Sequence, residues 1–315
     1  MPLGNKEVLF TGRLPSRRSA LGLLMVGVAL AGCQSVPPPA SRPADAPPPP
    51  AIPPAPPKPP RIGLALGGGA ARGFAHIGVI QVLEEAGIRP DLVVGTSAGS
   101  LVAALYAAGR NGTELGVLAQ SMDEGAITDW AFPGRGLIRG EALARYVREQ
   151  TAQRPIEQMK MPLGIVATDL DSGAPILFQR GDTGAAVRAS SAVPAVFQPV
   201  KIGAREYVDG GLVSPVPVRF ARQMGAELVL AVDISLPPDG APTGDPFKML
   251  MQTFSIMGKS INHFELRDAD VVVRPRLQGV GSADFTARAR AIAAGREAAQ
   301  LVLPELRQRI SALTR

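Results

Sequence analysis

From residue 61 onward, short apolar runs alternate with longer stretches in which apolar positions recur with helical spacing. The apolar runs predict strands and the longer stretches predict helices. The strands are expected at 62–66, 91–95, 163–168, 175–179, 205–208, 227–233 and 269–273, and the helices at 73–86, 97–109, 112–122, 140–152, 183–189, 216–224, 245–264 and 283–311. This alternation predicts an α/β fold, in which a central, mostly parallel sheet is covered by helices on both faces.

The first residues follow a different pattern, which is typical of export. Arg17 and Arg18 precede an apolar run, 20–30, that is too short to span a bilayer comfortably. The sequence Leu-Ala-Gly-Cys at 30–33 resembles the lipobox of bacterial lipoproteins, in which cleavage before the cysteine is followed by its acylation. We therefore expect a lipoprotein signal peptide at 1–32 and a lipidated Cys33 that anchors the exported protein to a membrane. An ordinary buried free cysteine is the alternative.

The residue after Cys33 is Gln34 rather than Asp. By the same resemblance, this favours the outer membrane, with the protein facing the periplasm. Nearly half of the chain's 31 prolines lie in 36–60, which predicts an extended tether at 33–60 and a single catalytic domain at 61–315. A docking site for a proline-binding partner is the alternative interpretation of the tether.

Charge and cysteine content exclude some classes of protein. The formal net charge is +6, but four basic residues and one acid in 1–32 account for half of it. No basic stripe with interleaved aromatic residues is present, so the sequence does not predict nucleic-acid binding. The single cysteine excludes an internal disulfide and a cysteine-rich metal site.

Two glycine-rich motifs each follow a predicted strand. The first, GGGAARG at 67–73, offers bare backbone N–H groups to a ligand oxygen. The second, GTSAG at 95–99, is a G-x-S-x-G motif that places Ser97 on a sharp turn at the positive end of a helix. Together they predict an oxyanion hole and a nucleophile, as in a serine hydrolase. The first motif fits neither a dinucleotide fingerprint nor a Walker loop, and a simple helix cap is the alternative for Ser97.

A serine nucleophile needs a base, and the chain has two histidines. His76 lies in the helix after the first glycine motif, and His263 lies near the end of a long predicted helix. The chain order Ser–Asp–His would be completed by His263, with Asp209 or Asp233 as the orienting acid. Nothing around His263 marks it as catalytic, so a surface or packing role is the alternative. Asp209 stands out because it ends a strand and precedes two glycines.

Four short motifs, taken in order, resemble the patatin-like phospholipases over 61–234. The G-G-G-x-x-R-G motif is Gly67–Gly73, the G-x-S-x-G motif is Gly95–Gly99, and the D-G-G motif is Asp209–Gly211. A fourth run, ASSAVP at 189–194, falls between the last two. The resemblance implies a three-layer α/β/α patatin-like domain.

The resemblance also implies a Ser–Asp dyad, with Ser97 as the nucleophile and Asp209 as the base. The activity implied is a serine lipid acyl hydrolase of the phospholipase A or lysophospholipase type, which acts on carboxylic esters through an acyl-enzyme in lipid degradation. No metal, organic cofactor or protein partner is implied. The oxyanion-hole loop would comprise Gly67, Gly68, Gly69, Ala70, Arg72 and Gly73, with motif support from Gly95, Gly99, Gly210 and Gly211.

The dyad is physically reasonable because burial would raise the pKa of Asp209 above its ordinary value near 4 and make it a better base. The family often has Asn where this chain has Ser214, a departure that affects the loop carrying Asp209. Two alternatives remain open: an α/β-hydrolase with a Ser97–Asp233–His263 triad, and a catalytically decayed, membrane-tethered lipid-binding protein.

Two further features are expected outside the motifs. Asp169 and Asp171 follow a strand and predict a hairpin turn with solvated acids rather than a metal pair. The segments 123–139 and 235–262 combine Gly, Pro and apolar residues such as Trp130, and are candidate lids.

Overall fold

The computed structural model describes residues 57–130, 135–235, 244–281 and 283–315. The predicted signal peptide, Cys33 and most of the tether lie outside these residues, as do 131–134 and 236–243 of the two candidate lids. In the described part of the chain, no helix combines the length and the apolar character needed to cross a bilayer.

The described residues form ten strands and eight α-helices, with short 3-10 turns between some of them. The strands are β1 (Ile62–Leu66), β2 (Leu92–Thr96), β3 (Gly136–Ile138), β4 (Leu163–Asp169), β5 (Pro175–Phe178), β6 (Ala195–Phe197), β7 (Val200–Ile202), β8 (Arg205–Asp209), β9 (Leu228–Val232) and β10 (Val271–Val273). The helices are α1 (Phe74–Glu85), α2 (Ala98–Ala107), α3 (Gly112–Ser121), α4 (Glu141–Gln150), α5 (Thr183–Ser190), α6 (Val218–Gln223), α7 (Pro246–Glu265) and α8 (Arg288–Leu313).

Every strand and helix expected from the sequence is present, and most ends agree within one or two residues. The sequence did not predict β3, β6 and β7. Each of these has three residues, which is too short for a period of two to be distinguished from chance. The candidate lid 123–139 contains β3, and the candidate lid 235–262 contains most of α7.

The main sheet has the strand order β10-β9-β1-β2-β4-β8-β7, with β5 also paired to β4. All pairs from β10 to β4 are parallel, whereas β5, β7 and β8 join by antiparallel pairing. The predicted central, mostly parallel sheet is therefore confirmed. The strands β3 and β6 form a separate parallel pair.

Helices cover both faces of this sheet. In β1, Leu64 and Leu66 join a buried cluster with residues of α1, α2 and α8, while Ala65 joins a cluster on the opposite face with residues of α6. Among the described residues, all buried clusters lie between Ile62 and Leu306. The compact unit Ala55–Arg315 thus contains its own core and is expected to fold without the preceding segment.

The hairpin predicted at Asp169 is confirmed, because β4 and β5 pair in antiparallel register. The prediction that its acids are solvated is wrong for Asp169, which is fully buried. Its carboxylate forms an ion pair with the Arg205 guanidinium at 2.6 Å and accepts hydrogen bonds from the amides of Asp171 and Ser172. This ion pair joins the end of β4 to the start of β8.

Strand register brings the ends of four strands together. Leu66 of β1 pairs with Gly95 of β2, so the glycine-rich loop and Ser97 leave the sheet at the same edge. Thr96 pairs with Val166 of β4, and the next residue of β4, Ala167, pairs with Asp209 of β8. Because β8 runs antiparallel to β4, its last residue arrives beside the end of β2.

Candidate active site

Ser97 occupies a sharp turn between β2 and α2. Its φ of 53° and ψ of −125° lie in a region that non-glycine residues rarely adopt, which indicates backbone strain held by the surroundings. A Cβ atom at Gly99 would lie 2.1 Å from the Leu66 carbonyl oxygen, and one at Gly95 would lie 2.4 Å from the Gly99 oxygen. Both motif glycines are therefore required by close backbone contact.

Ser190, the last residue of α5, secures this turn. Its Oγ accepts a hydrogen bond from the Ser97 amide at 2.8 Å and donates to the Val166 carbonyl at 2.6 Å. The Ser97 carbonyl accepts from the Ser100 hydroxyl at 2.6 Å. Ser190 belongs to the ASSAVP run, which marked the position in the sequence but did not indicate what the side chain does.

The Ser97 hydroxyl donates a hydrogen bond to Oδ2 of Asp209, with 2.7 Å between the oxygens. The other carboxylate oxygen, Oδ1, accepts from the Gly211 amide at 2.7 Å. Asp209 is only 7% exposed, and burial raises the pKa of its carboxyl group to about 6. The group is therefore mainly ionised at neutral pH, yet is a stronger base than an exposed aspartate.

Backbone contacts fix Asp209 from both sides. Its amide donates to the Ala192 carbonyl at 2.9 Å, and its carbonyl accepts from the Thr168 hydroxyl at 2.8 Å. A Cβ atom at Gly210 would lie 2.2 Å from the Val166 carbonyl oxygen. The first glycine of the D-G-G motif thus allows the chain to turn directly against β4.

The glycine-rich loop lies beside Ser97, since a Cβ atom at Gly68 would come within 3.2 Å of the Ser97 Cβ. The amide of Gly67 donates to Val232 and that of Gly68 donates to Pro215. In the part of the chain that the structure describes, neither the Gly69 nor the Ala70 amide donates a hydrogen bond. Both amides are therefore available to an oxyanion.

Two side chains hold the loop in place. Arg72 donates from Nε to the Gly69 carbonyl at 3.1 Å, and burial lowers the pKa of its guanidinium. His76 is fully buried and donates from Nε2 to the Gly67 carbonyl at 2.8 Å. Burial lowers the pKa of His76 to about 4, so the ring is neutral at physiological pH. His76 is thus committed to the loop and not to the Ser97 hydroxyl.

The alternative triad is not assembled. His263 is exposed near the end of α7, where its Nε2 accepts a hydrogen bond from Arg267 at 2.7 Å. Asp233 accepts hydrogen bonds from the Ser235 amide and hydroxyl. The carboxylate that contacts Ser97 is that of Asp209.

Ser214, at the position where the family often has Asn, is fully buried. Its carbonyl accepts from the Thr96 hydroxyl at 2.8 Å, and its own hydroxyl donates to Glu265 Oε1 at 2.6 Å. Glu265 also pairs with Arg219 at 3.2 Å, and burial raises the pKa of its carboxyl group to about 7. The sequence carried no signal for this link between the Asp209 loop and α7.

This chain is similar to several known proteins. The family model described as patatin-like phospholipase matches residues 64–222. An uncharacterized NTE family protein of Mycobacterium tuberculosis is 39% identical over 178 residues, which cover 56% of this chain and 49% of that protein. The mouse patatin-like phospholipase domain-containing protein 6 is 35% identical over 182 residues, which cover 55% of this chain and 13% of that protein.

Among solved structures, VipD from Legionella pneumophila superposes with a TM-score of 0.55 at 14% identity, over 79% of this chain and 68% of that one. This likeness concerns the fold. The chain spans about half the length of the mycobacterial relative and a small part of the mouse protein.

The buried carboxylate of Asp209 is expected to reduce stability at neutral pH. Its pKa is about 6 in the folded state against the ordinary aspartate value of 3.8, so the folded state binds more protons between about pH 4 and 6. The free energy of unfolding therefore falls as pH rises through this window. We expect Asp209→Asn to raise the free energy of unfolding at pH 8 by about 1–3 kcal/mol, measured by urea denaturation, with a much smaller gain at pH 4.

The matched control for this measurement is Asp171→Asn, which removes an exposed acid in the β4–β5 turn. It should leave the unfolding free energy nearly unchanged at both pH values. An equal loss of stability at pH 4 and pH 8 in Asp209→Asn would contradict the argument.

Proposed function

Because this chain belongs to the patatin-like phospholipase family, we propose that it is a serine lipid acyl hydrolase that cleaves acyl esters of phospholipids or related lipids. The observation that carries the proposal is the 2.7 Å hydrogen bond from the Ser97 hydroxyl to the buried carboxylate of Asp209. Family membership alone leaves the mechanism open, whereas this contact supplies a nucleophile with its proton acceptor already in place.

In the first half-reaction, Asp209 takes the hydroxyl proton as Ser97 Oγ attacks the ester carbonyl carbon. The negative charge on the resulting oxyanion is met by the free amides of Gly69 and Ala70, each of which is worth about 2.7–4 kcal/mol if it behaves as a typical oxyanion-hole donor. The N-terminus of α2 adds a favourable field at the reacting oxygen.

The carbon–oxygen bond to the leaving alcohol then breaks, and Asp209 returns its proton to that alcohol. This leaves an acyl group on Ser97. In the second half-reaction, Asp209 takes a proton from water, the hydroxide attacks the acyl-enzyme, and the proton returns to Ser97 as the fatty acid leaves. Ser97, Asp209 and the two amides suffice for these steps without a metal or organic cofactor.

The proposal predicts covalent labelling of Ser97. We expect a fluorophosphonate to modify Ser97 in a fragment of residues 55–315, with the site identified by peptide mapping. The Ser97→Ala variant of this fragment should form no adduct. Asp209→Asn should lower ester hydrolysis about 10³-fold or more, because it removes the proton acceptor.

The matched control is His263→Ala, which should keep both labelling and hydrolysis. Loss of all activity in this variant alone would favour the triad of Ser97, Asp233 and His263. A folded fragment that takes up no label would overturn the hydrolase and favour a lipid-binding protein with a decayed site.

The activity should fall at acid pH. Since Asp209 must be ionised to accept a proton and its pKa is about 6, we expect kcat/KM to decrease about tenfold per pH unit below pH 6. The measurement is hydrolysis of a soluble ester between pH 4 and pH 9.

Glu265, whose pKa is about 7, provides the control for this profile. In Glu265→Gln the acid limb should remain near pH 6, because Glu265 does not contact Ser97. If the fall in kcat/KM at acid pH disappears in this variant, the titrating group is Glu265 and not Asp209.

We also propose that the enzyme is anchored to a membrane by acylated Cys33, with the proline-rich segment as a tether. The support is the coincidence of basic residues, an apolar run and the Leu-Ala-Gly-Cys junction in the sequence. The full chain expressed in a bacterium should incorporate radiolabelled palmitate and sediment with the outer-membrane fraction. Cys33→Ser should lose the label, and a chain that is labelled equally in this variant would disprove the anchor.

A further inference from the structure

Helix α7 exposes an unusual amount of apolar surface. Its exposed large apolar side chains are between 36% and 62% accessible and comprise Phe247, Met249, Leu250, Ile256, Met257 and Phe264. The fully buried residues of α7 are instead polar, Asn262 and Glu265. Both Asn262 amide atoms and Glu265 Oε2 lack a hydrogen-bond partner. This distribution is the reverse of that expected for a helix that faces only water.

Five of these six residues lie on one side of the helix, whereas Phe247 points in the direction of the buried Glu265, about five turns further on. Leu250, Met257 and Phe264 recur at intervals of seven residues, and Met249 and Ile256 do the same. An interval of seven corresponds to nearly two helical turns, so these residues form two neighbouring stripes. Elsewhere in the described residues, the exposed large apolar side chains are dispersed over other elements. The two stripes, with the exposed Thr253 and Ser260 between them, concentrate exposed apolar side chains on one helix, which indicates an interaction surface.

Between Pro246 and Phe264, the charged side chains are two lysines. Lys248 and Lys259 are exposed on α7, and Arg267 follows its end. The acid within the helix, Glu265, is buried and paired with Arg219. Asp245 caps the N-terminus and pairs with Lys248, and the exposed Asp268 lies beyond the C-terminus. The stretch 246–264 therefore presents apolar residues and lysines without an acid.

We propose that α7 docks this protein onto an anionic phospholipid surface. The apolar stripes would enter the boundary between headgroups and acyl chains while the lysines meet lipid phosphates, as in other interfacial amphipathic helices. The proposal deepens the function given above and rests on it for the identity of the lipid as a substrate. Docking itself requires no catalysis.

The inner side of α7 lies against the segment that carries Asp209. A Cβ atom at Gly258 would be 3.6 Å from Pro215 Cγ, and Glu265 accepts the hydrogen bond from Ser214. The carbonyl of Pro215 in turn accepts from the Gly68 amide. A membrane bound by α7 would thus lie next to the loops that hold the dyad and the oxyanion donors.

The test is co-sedimentation of residues 55–315, carrying Ser97→Ala to prevent hydrolysis, with vesicles of phosphatidylglycerol or of phosphatidylcholine. We expect binding to phosphatidylglycerol to be at least about tenfold stronger and to weaken with salt. The combined variant Met249→Gln, Ile256→Gln and Met257→Gln should reduce binding about tenfold or more. The charge variant Lys248→Glu and Lys259→Glu should reduce it for phosphatidylglycerol alone.

The matched controls change exposed residues on other helices. Val117→Gln with Leu301→Gln removes apolar surface from α3 and α8, and Arg307→Glu with Arg309→Glu reverses charge on α8. Both should bind vesicles as the parent does. Thermal unfolding followed by circular dichroism should give the same midpoint for all these variants, since the altered side chains are exposed.

Three results would overturn the proposal: no vesicle binding, binding that the α7 variants leave unchanged, or an α7 variant that converts a dimer into a monomer by analytical ultracentrifugation without affecting lipid. The last result would assign the apolar face to a second copy of the chain. Labelling of Ser97 by a fluorophosphonate reports on catalysis separately. If residues 55–315 are labelled but their Ser97→Ala form fails to bind vesicles, docking is refuted and the hydrolase stands. If the fragment is not labelled but the Ser97→Ala form binds, the reverse holds.

Discussion

The strained turn at Ser97 is the constraint on which the rest of the site depends. A positive φ at a serine costs on the order of 1–3 kcal/mol, and it persists here because the surrounding structure determines it from several directions. Gly95 and Gly99 allow close contact between backbone segments, because neither has a side chain. Ser190 accepts a hydrogen bond from the Ser97 amide, which has no partner within the helix. The strained turn places the Ser97 hydroxyl 2.7 Å from the Asp209 carboxylate. The fold thus gives up some conformational stability to hold the nucleophile beside its base.

The segment from Asp209 to Pro215 contacts every part of the site. It begins at the proton acceptor, Asp209, and contacts β4 through Gly210. The Ser214 carbonyl accepts a hydrogen bond from the Thr96 hydroxyl. Its last residue, Pro215, accepts from the Gly68 amide and so fixes the glycine-rich loop. Nucleophile, base and oxyanion loop are therefore joined through one short stretch of backbone. A displacement of this stretch would move all three parts together, which explains why it is tied at so many points.

The sequence predicted the main elements because each combines a clear apolar period with glycine or polar residues at its ends. It also predicted the positions of Ser97 and Asp209, since the motifs require particular residues at contacts that admit no side chain. It could not predict how the two meet, because that depends on β8 running antiparallel to β4, and strand direction leaves no local signature. Ser190, Glu265 and the buried pair of Asp169 with Arg205 depend on contacts distant in sequence.

Burial raises the pKa of both unusual carboxyl groups of this region, with different consequences for each. At Asp209 it raises the pKa to about 6, which strengthens the base while leaving it ionised at neutral pH. At Glu265 it raises the pKa to about 7, where a protonated carboxyl group can also donate a hydrogen bond. On its inner side, α7 is held by the contacts of Glu265 with Ser214 and Arg219, whereas its outer side exposes apolar side chains to water. The exposed apolar side chains favour an environment for this helix that includes an apolar surface in addition to the rest of the domain.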